Sequence, residues 1–363
     1  MNPVQIALPV MLHVDNEIDI FRKAQERLMK LGDSCGVPVE VGAFLLYLPS
    51  HSRKPENFAK QLANQEIHHL PIRLAETGVQ RQNSLSYAPG DPTHNASIAS
   101  DLESTMDQVA RLRDLDPTAP EKLVVAPHVG IIAFDSIPPG DFSHPGFYAV
   151  GDFVEQRDEM YKRSKARFSE LSKKASANGL HLALENAYSA VVEDVGHWQG
   201  QKGTYGLEYQ VFNDLPSLRD ISGGHLVLDL AHFAAMQNIP ARFEANKDLV
   251  SSDSLFATLG ISSWDEFPAK AGQLGDYLPR VRGFHFSSQD GLGIRVPKAT
   301  EEGRRWGDGT GQDLTSMETY HQCLRWAQEN ALPVAIEEDY NIKPLTFNEA
   351  DAFLGPILRS YKS

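Results

Sequence analysis

Cysteine is scarce in this chain, with 2 among 363 residues, so no disulfide framework holds it together and a reducing compartment suits it. No apolar run approaches the roughly 20 residues that would span a bilayer. The opening Met1–Asn16 is apolar in its middle without a basic leader, and reads as a strand rather than a secretory signal. Together these features point to a cytoplasmic protein with no membrane segment. Positive charge is also in short supply: 34 Lys and Arg stand against 48 Asp and Glu, a net charge of −14. That balance opposes general binding to a polyanion and disfavours nucleic acid as a partner. No GxGxxG follows the first apolar run, and neither a Walker loop nor a G-x-S-x-G nucleophile elbow occurs.

What is present is alternation. Short apolar runs at Val4–Leu12, Val39–Leu48, Ile67–Leu74, Lys122–Ala126, Leu180–Leu184, His225–Leu230, Val281–Phe286 and Pro333–Ile336 read as strands. Amphipathic helical sequence follows each of them. Strand–helix alternation implies parallel pairing through right-handed crossovers, and eight units predict an α/β fold of the closed (β/α)8 TIM-barrel type. An open doubly wound sheet is the alternative. No linker divides the chain, so residues 1–363 are expected to form a single barrel domain. The roughly 110 residues beyond a typical barrel of about 250 go into long βα loops. Insertions are expected near 75–95, 186–204 and 238–275. Such loops could serve as a lid or as subunit contacts in a homo-oligomer.

Catalysis in such a barrel sits where the strands end. His69 lies within the third run and His128 follows the fourth. Glu185 ends the fifth in LALEN, and Asp229 ends the sixth in LVLDLAH, with His232 three residues on. His285 ends the seventh in RGFHF and Glu337 ends the eighth in PVAIEED. Singly, each has a structural explanation: a hydrogen-bonded imidazole, a helix cap, a solvated acidic cluster. Jointly, carboxylates and an imidazole end four successive apolar runs that would bury them, and buried charge is costly unless it is paired or bound to a metal. Two Glu, one Asp and one His offer mixed oxygen and nitrogen ligands suited to Mn²⁺, Mg²⁺, Co²⁺, Fe²⁺ or Zn²⁺. Arg282, Arg295, Arg304 and Arg305, on or near the loop after the seventh run, could grip a phosphate or carboxylate or be solvated surface.

With LALEN, LVLDLAH, GFHF, the GDGTGQD loop (Gly307–Asp313) and VAIEE in that order, the C-terminal half resembles the xylose isomerase-like TIM barrels. That superfamily comprises sugar isomerases and epimerases and also endonuclease IV. The resemblance implies that Glu185, Asp229, His285 and Glu337 hold one divalent metal, and that His232 faces the substrate or a second metal. It further implies that Glu185 and Glu337 flank a substrate carbon, one removing a proton and the other returning one through a metal-stabilised enediolate. His232, His128, His69 and Arg295 are the candidate substrate-binding residues. In the endonuclease branch, His69 and His128 would match two further zinc-binding histidines. That branch also places a D-x-H step shortly before the Gly-rich loop, where this chain reads Glu301–Glu302–Gly303–Arg304–Arg305–Trp306. The expected function is therefore a metal-dependent isomerase or epimerase of a small carbohydrate. The alternatives are a lyase, dehydratase or phosphoesterase using the same pocket, and a non-catalytic metal-binding barrel.

Overall fold

The computed structural model describes residues 2–11, 17–46, 72–76, 92–114, 120–128, 132–134, 147–186, 190–193, 205–210, 212, 215–234, 273–286, 294–295, 316–336 and 348–361. In chain order the strands begin with β1 (Val4–Met11), β2 (Val39–Leu46), β3 (Ile72–Glu76), β4 (Leu123–Ala126), β5 (Ile132–Phe134), β6 (Phe147–Ala149) and β7 (Leu180–Leu182). They continue with β8 (Leu184–Glu185), β9 (Ala190–Glu193), β10 (Tyr205–Gln210), β11 (Leu226–Asp229), β12 (Val281–Phe286), β13 (Ile294–Arg295) and β14 (Pro333–Ile336). The helices are α1 (Glu17–Cys35), α2 (Pro92–Asp114), α3 (Val150–Ala177), α4 (Leu215–Ile221), α5 (Leu274–Tyr277), α6 (Met317–Asn330) and α7 (Asn348–Ser360). None of them is long and apolar enough to cross a membrane.

The main sheet is parallel throughout, in the order β7-β4-β3-β2-β1-β14-β12-β11-β8. Its two ends, β7 and β8, are halves of one segment, Leu180–Glu185. Successive amides there alternate between neighbours: Ala183 N donates to Val125 O at 3.0 Å, Leu184 N to His225 O at 3.0 Å, and Glu185 N to Pro127 O at 3.1 Å. The fifth barrel strand thus pairs with β4 on one side and β11 on the other, and the circuit of eight strands returns to its start.

Alternation along the strands sorts residues into two layers. Val4, Ile6 and Leu8 of β1, Leu180 and Leu182 of β7, and Val334 and Ile336 of β14 face outward into the main core. There they meet Phe21, Ala24 and Leu28 of α1, Leu102, Met106 and Val109 of α2, and Phe168, Leu171 and Ala175 of α3, each set at helical spacing. Facing inward, Ala7, Phe44, Val124, Ala126, Ala183, Val227 and Ala335 form a separate apolar cluster inside the barrel. Gly179, with φ of +69°, ends α3 in the left-handed conformation and returns the chain to β7.

Three features depart from the sequence reading. The described part of the third strand is Ile72–Glu76, two residues past the expected end at Leu74; residues 67–71 of the expected strand, His69 among them, lie outside the described residues. The segments read as loops after β4, the fifth strand and β12 contribute β5, β6, β9, β10 and β13 to a second, five-stranded sheet in the order β13-β9-β10-β5-β6. The expected insertions near 75–95, 186–204 and 238–275 fall largely outside the described residues, apart from the end of β3 and the start of α2 in the first, Asn186 and β9 in the second, and residues 273–275 in the third.

Candidate active site

Three polar side chains expected to end strands, with His232 just beyond one of them, converge at the C-terminal end of the barrel interior. Glu185, Asp229, His232 and His285 are all buried. Register explains the meeting: His285 pairs with Asp229 across β12 and β11, and Glu185 pairs with Val227 across β8 and β11. Below them lies the apolar cluster, and the Phe44 ring sits 4.8 Å from that of His285.

The Glu185 carboxylate is the hub. His285 Nδ1 lies 2.8 Å from its Oε1, and His128 Nε2 lies 3.8 Å from its Oε2. His128 reaches it from the segment beyond β4, through a single bridge to Glu185. Burial opposes the charge on Glu185, but His285, His128 and His232 together outweigh it and hold the carboxyl below its ordinary range. Its Oε2 is nevertheless buried with no hydrogen-bond partner among the described residues.

Asp229 and His232 share a turn. Asp229 Oδ1 accepts a 2.6 Å hydrogen bond from His232 N, capping the helical turn over residues 230–234. The cap and the ligand readings of this Asp are therefore compatible. His232 Nδ1 is 2.8 Å from Asn186 O and 3.6 Å from Asp229 Oδ1. Donation from Nδ1 to that carbonyl selects the tautomer whose Nε2 carries a lone pair, the form a metal takes. Glu185, Asp229 and His232 each offer a ligand atom, and these atoms all lie within 4.8 Å of one another.

Of the expected site residues, the structure brings together Glu185, Asp229, His232, His285 and His128. Glu337 and His69 lie outside the described residues. Arg295 falls on β13 of the small sheet. Arg282 sits at the start of β12, at the opposite end of that strand from His285 and away from the loop with which its sequence position associated it. Asn186 was missed by sequence reasoning, although it closes the LALEN motif. Its amide exchanges two hydrogen bonds with the Asp229 backbone, and its carbonyl orients His232.

No protein-family model matches the sequence, and no curated protein matches it either. Among solved structures, a D-tagatose 3-epimerase-like protein aligns with a TM-score of 0.50 at 12% identity, over 98% of this chain and 98% of that one. An L-ribulose 3-epimerase aligns with a TM-score of 0.47 at 14% identity, over 98% and 96% of the two chains. A xylose isomerase-like TIM barrel protein from Mycobacterium smegmatis, in complex with magnesium, aligns with a TM-score of 0.46 at 14% identity, over 100% and 98%. The likeness is one of fold: at that level the chain is a (β/α)8 barrel.

Proposed function

We propose that the chain is a divalent-metal-dependent isomerase or epimerase acting on a sugar or related small carbohydrate. The observation that carries this reading is the buried group of Glu185, Asp229 and His232, whose ligand atoms lie within 4.8 Å of one another. Two carboxylates buried side by side are costly unless positive charge compensates them, and Glu185 Oε2, 3.8 Å from His128 Nε2 and without a hydrogen bond, is a donor atom of the kind a cation would use. The mixed oxygen and nitrogen set suits Mg²⁺, Mn²⁺, Co²⁺, Fe²⁺ or Zn²⁺. Glu185, Asp229 and His232 would hold the ion, with His285 and Glu337 as the further ligands that the motif resemblance implies. Such an ion, when bound, supplies Lewis acidity toward a substrate carbonyl or hydroxyl oxygen.

The remaining chemistry belongs to the side chains. Glu185, kept ionised by the imidazoles around it, is a proton acceptor buried beneath the mouth. His285 and His128 stand at its two oxygens and limit its rotation. Glu337, two residues beyond the inward-facing Ala335, is the candidate to return a proton to the opposite face of the same carbon. Ala126 and Ala335 give the floor an apolar surface that keeps water from competing.

The test is incubation of the metal-loaded chain with a panel of ketoses in D₂O, followed by NMR. Deuterium at the carbon next to the carbonyl, lost in Glu185→Gln, is the expected result. A dehydrated product would move the assignment to a lyase using the same base. Absence of exchange across the panel, together with no divalent ion by elemental analysis and no thermal shift with any of the five metals, would overturn the reading.

A further inference from the structure

The opposite end of the barrel interior holds a second polar group that the isomerase reading does not use. Four neighbouring strands contribute to it. Lys122 immediately precedes β4, His181 is the middle residue of β7, His225 immediately precedes β11, and Arg282 is the second residue of β12. His181 lies between the outward-facing Leu180 and Leu182, and so points into the barrel. The imidazoles of His181 and His225 meet edge to face, with centroids 4.3 Å apart at 79°.

Arg282 joins them through an irregularity. Leu226 pairs with Val281 and Val227 pairs with Gly283, so Arg282 is the extra residue of a β-bulge. Bulges re-aim side chains, and Val281, Phe284 and Phe286 on either side of it pack into the outer core. The half-buried guanidinium is left close enough to both histidines to press each toward its neutral form. Arg280 lies across Gly224, where a Cβ would meet its Nη1 at 2.7 Å, and adds its charge beside His225.

Among the described residues, Lys122, Arg280 and Arg282 make no ion pair, and Arg282 Nη1 donates only to the carbonyl of its neighbour Val281, at 2.9 Å. The Nδ1 of His225 is buried without a hydrogen-bond partner. In a chain with a net charge of −14, a basic group that makes no ion pair among the described residues runs against the overall balance. Lys122 and Arg280 are exposed, but Arg282 is half-buried; holding a cation there without counter-charge is costly, and an anion would relieve that cost. It would also draw both histidines into their charged form, doubling the N–H donors each presents.

We infer that the N-terminal end of the barrel interior is an oxyanion site for a phosphate group, held by Lys122, His181, His225 and Arg282. A planar guanidinium, an ammonium and two imidazoles from four strands supply donors from several directions, which suits a tetrahedral oxyanion better than a flat carboxylate. Four residues separate His181 from Glu185 on the fifth strand, about 13 Å at strand rise, with the inward apolar cluster between. The site is therefore independent of the isomerase reading.

The experiment is titration of the full chain with inorganic phosphate at pH 7 and constant ionic strength, followed by calorimetry and by imidazole NMR. A parallel arm uses methyl phosphate to distinguish a phosphomonoester site from one for the free ion. The expected result is saturable binding of one phosphate per chain, with the resonances of His181 and His225 moving toward their protonated positions. Arg282→Gln should weaken binding at least tenfold, Arg282→Lys by less, and Glu185→Gln should leave it unchanged. Binding no stronger than that of chloride, or retained in Arg282→Gln, or abolished in Glu185→Gln, overturns the assignment. If Arg282→Gln does not fold, the wild-type histidine resonances decide, and their failure to move overturns it equally.

Discussion

Asn186 and Asp229 hold one another by a two-way exchange: Asn186 Nδ2 donates to Asp229 O at 3.0 Å, and Asp229 N donates to Asn186 Oδ1 at 2.8 Å. A side-chain amide thereby completes the ladder where the two strands end, and fixes the backbone of the Asp that the candidate metal group needs. Asn186→Ala leaves both backbone groups buried and unsatisfied. The expected loss is about 1–3 kcal/mol of stability, read from urea denaturation. Divalent-ion affinity should fall roughly 10–100-fold, because the Asp is no longer oriented. Unchanged affinity in a folded variant would mean that Asp229 is not a ligand.

The two acids after β14 should behave differently. Val334 and Ile336 face the outer core while Ala335 faces the interior, so the expected parity puts Glu337 on the interior side and Glu338 on the helical side. Glu337→Gln should lower turnover on the order of 10²–10⁴-fold. Glu338→Gln should leave turnover near wild type and move only the melting temperature. The opposite ranking, read from kcat with the identified substrate, would shift the register by one residue.

Acid sensitivity has an identifiable source away from the candidate metal group. Burial first, then His225, Arg282 and Lys122, lower His181 from 6.5 to about 4 in the folded chain. Between those values the unfolded chain binds a proton that the folded chain refuses, so stability falls as pH drops through that window and is flat for this group above it. His225 is lowered in the same direction by burial, Arg282, Lys122 and Arg280. In phosphate-free buffer, His181→Gln should flatten the plot of urea midpoint against pH between about 4 and 6.5. A slope identical to wild type would remove His181 as the cause.

Helix α6 ends on a non-glycine residue in the left-handed conformation: Ala331 has φ 51° and ψ 45°, and its N–H donates to Ala327 O. Glycine meets no Cβ penalty there. Ala331→Gly should therefore stabilise the chain by about 0.5–1 kcal/mol, despite the greater entropy of glycine in the unfolded state. Thermal denaturation measures this, and a lowered midpoint would mean that the Ala331 methyl is packed more tightly than its exposure suggests.

The barrel strands were legible because each is an apolar run flanked by helical spacing, and the residue ending each run is the one that reaches the mouth. Glu185, Asp229 and His285 could be found that way. The small sheet was not legible: β13 has two residues and β5 three, too few to show a period, and their partners lie far off in sequence. Nor was the basic group at the N-terminal end. Lys122, His181, His225 and Arg282 are spread along the chain, and Arg282 reaches the others only through a bulge that no local pattern announces.

The small sheet ties together connections that leave three different barrel strands. β5 and β6 follow β4, β9 and β10 follow the fifth strand, and β13 follows β12, yet backbone pairing makes them one unit. Loops at the mouth of a barrel are ordinarily the parts that can be exchanged one at a time. Here a deletion in any one of the three would expose the strand edges of its neighbours, so this rim should be inherited, grafted or redesigned only as a set.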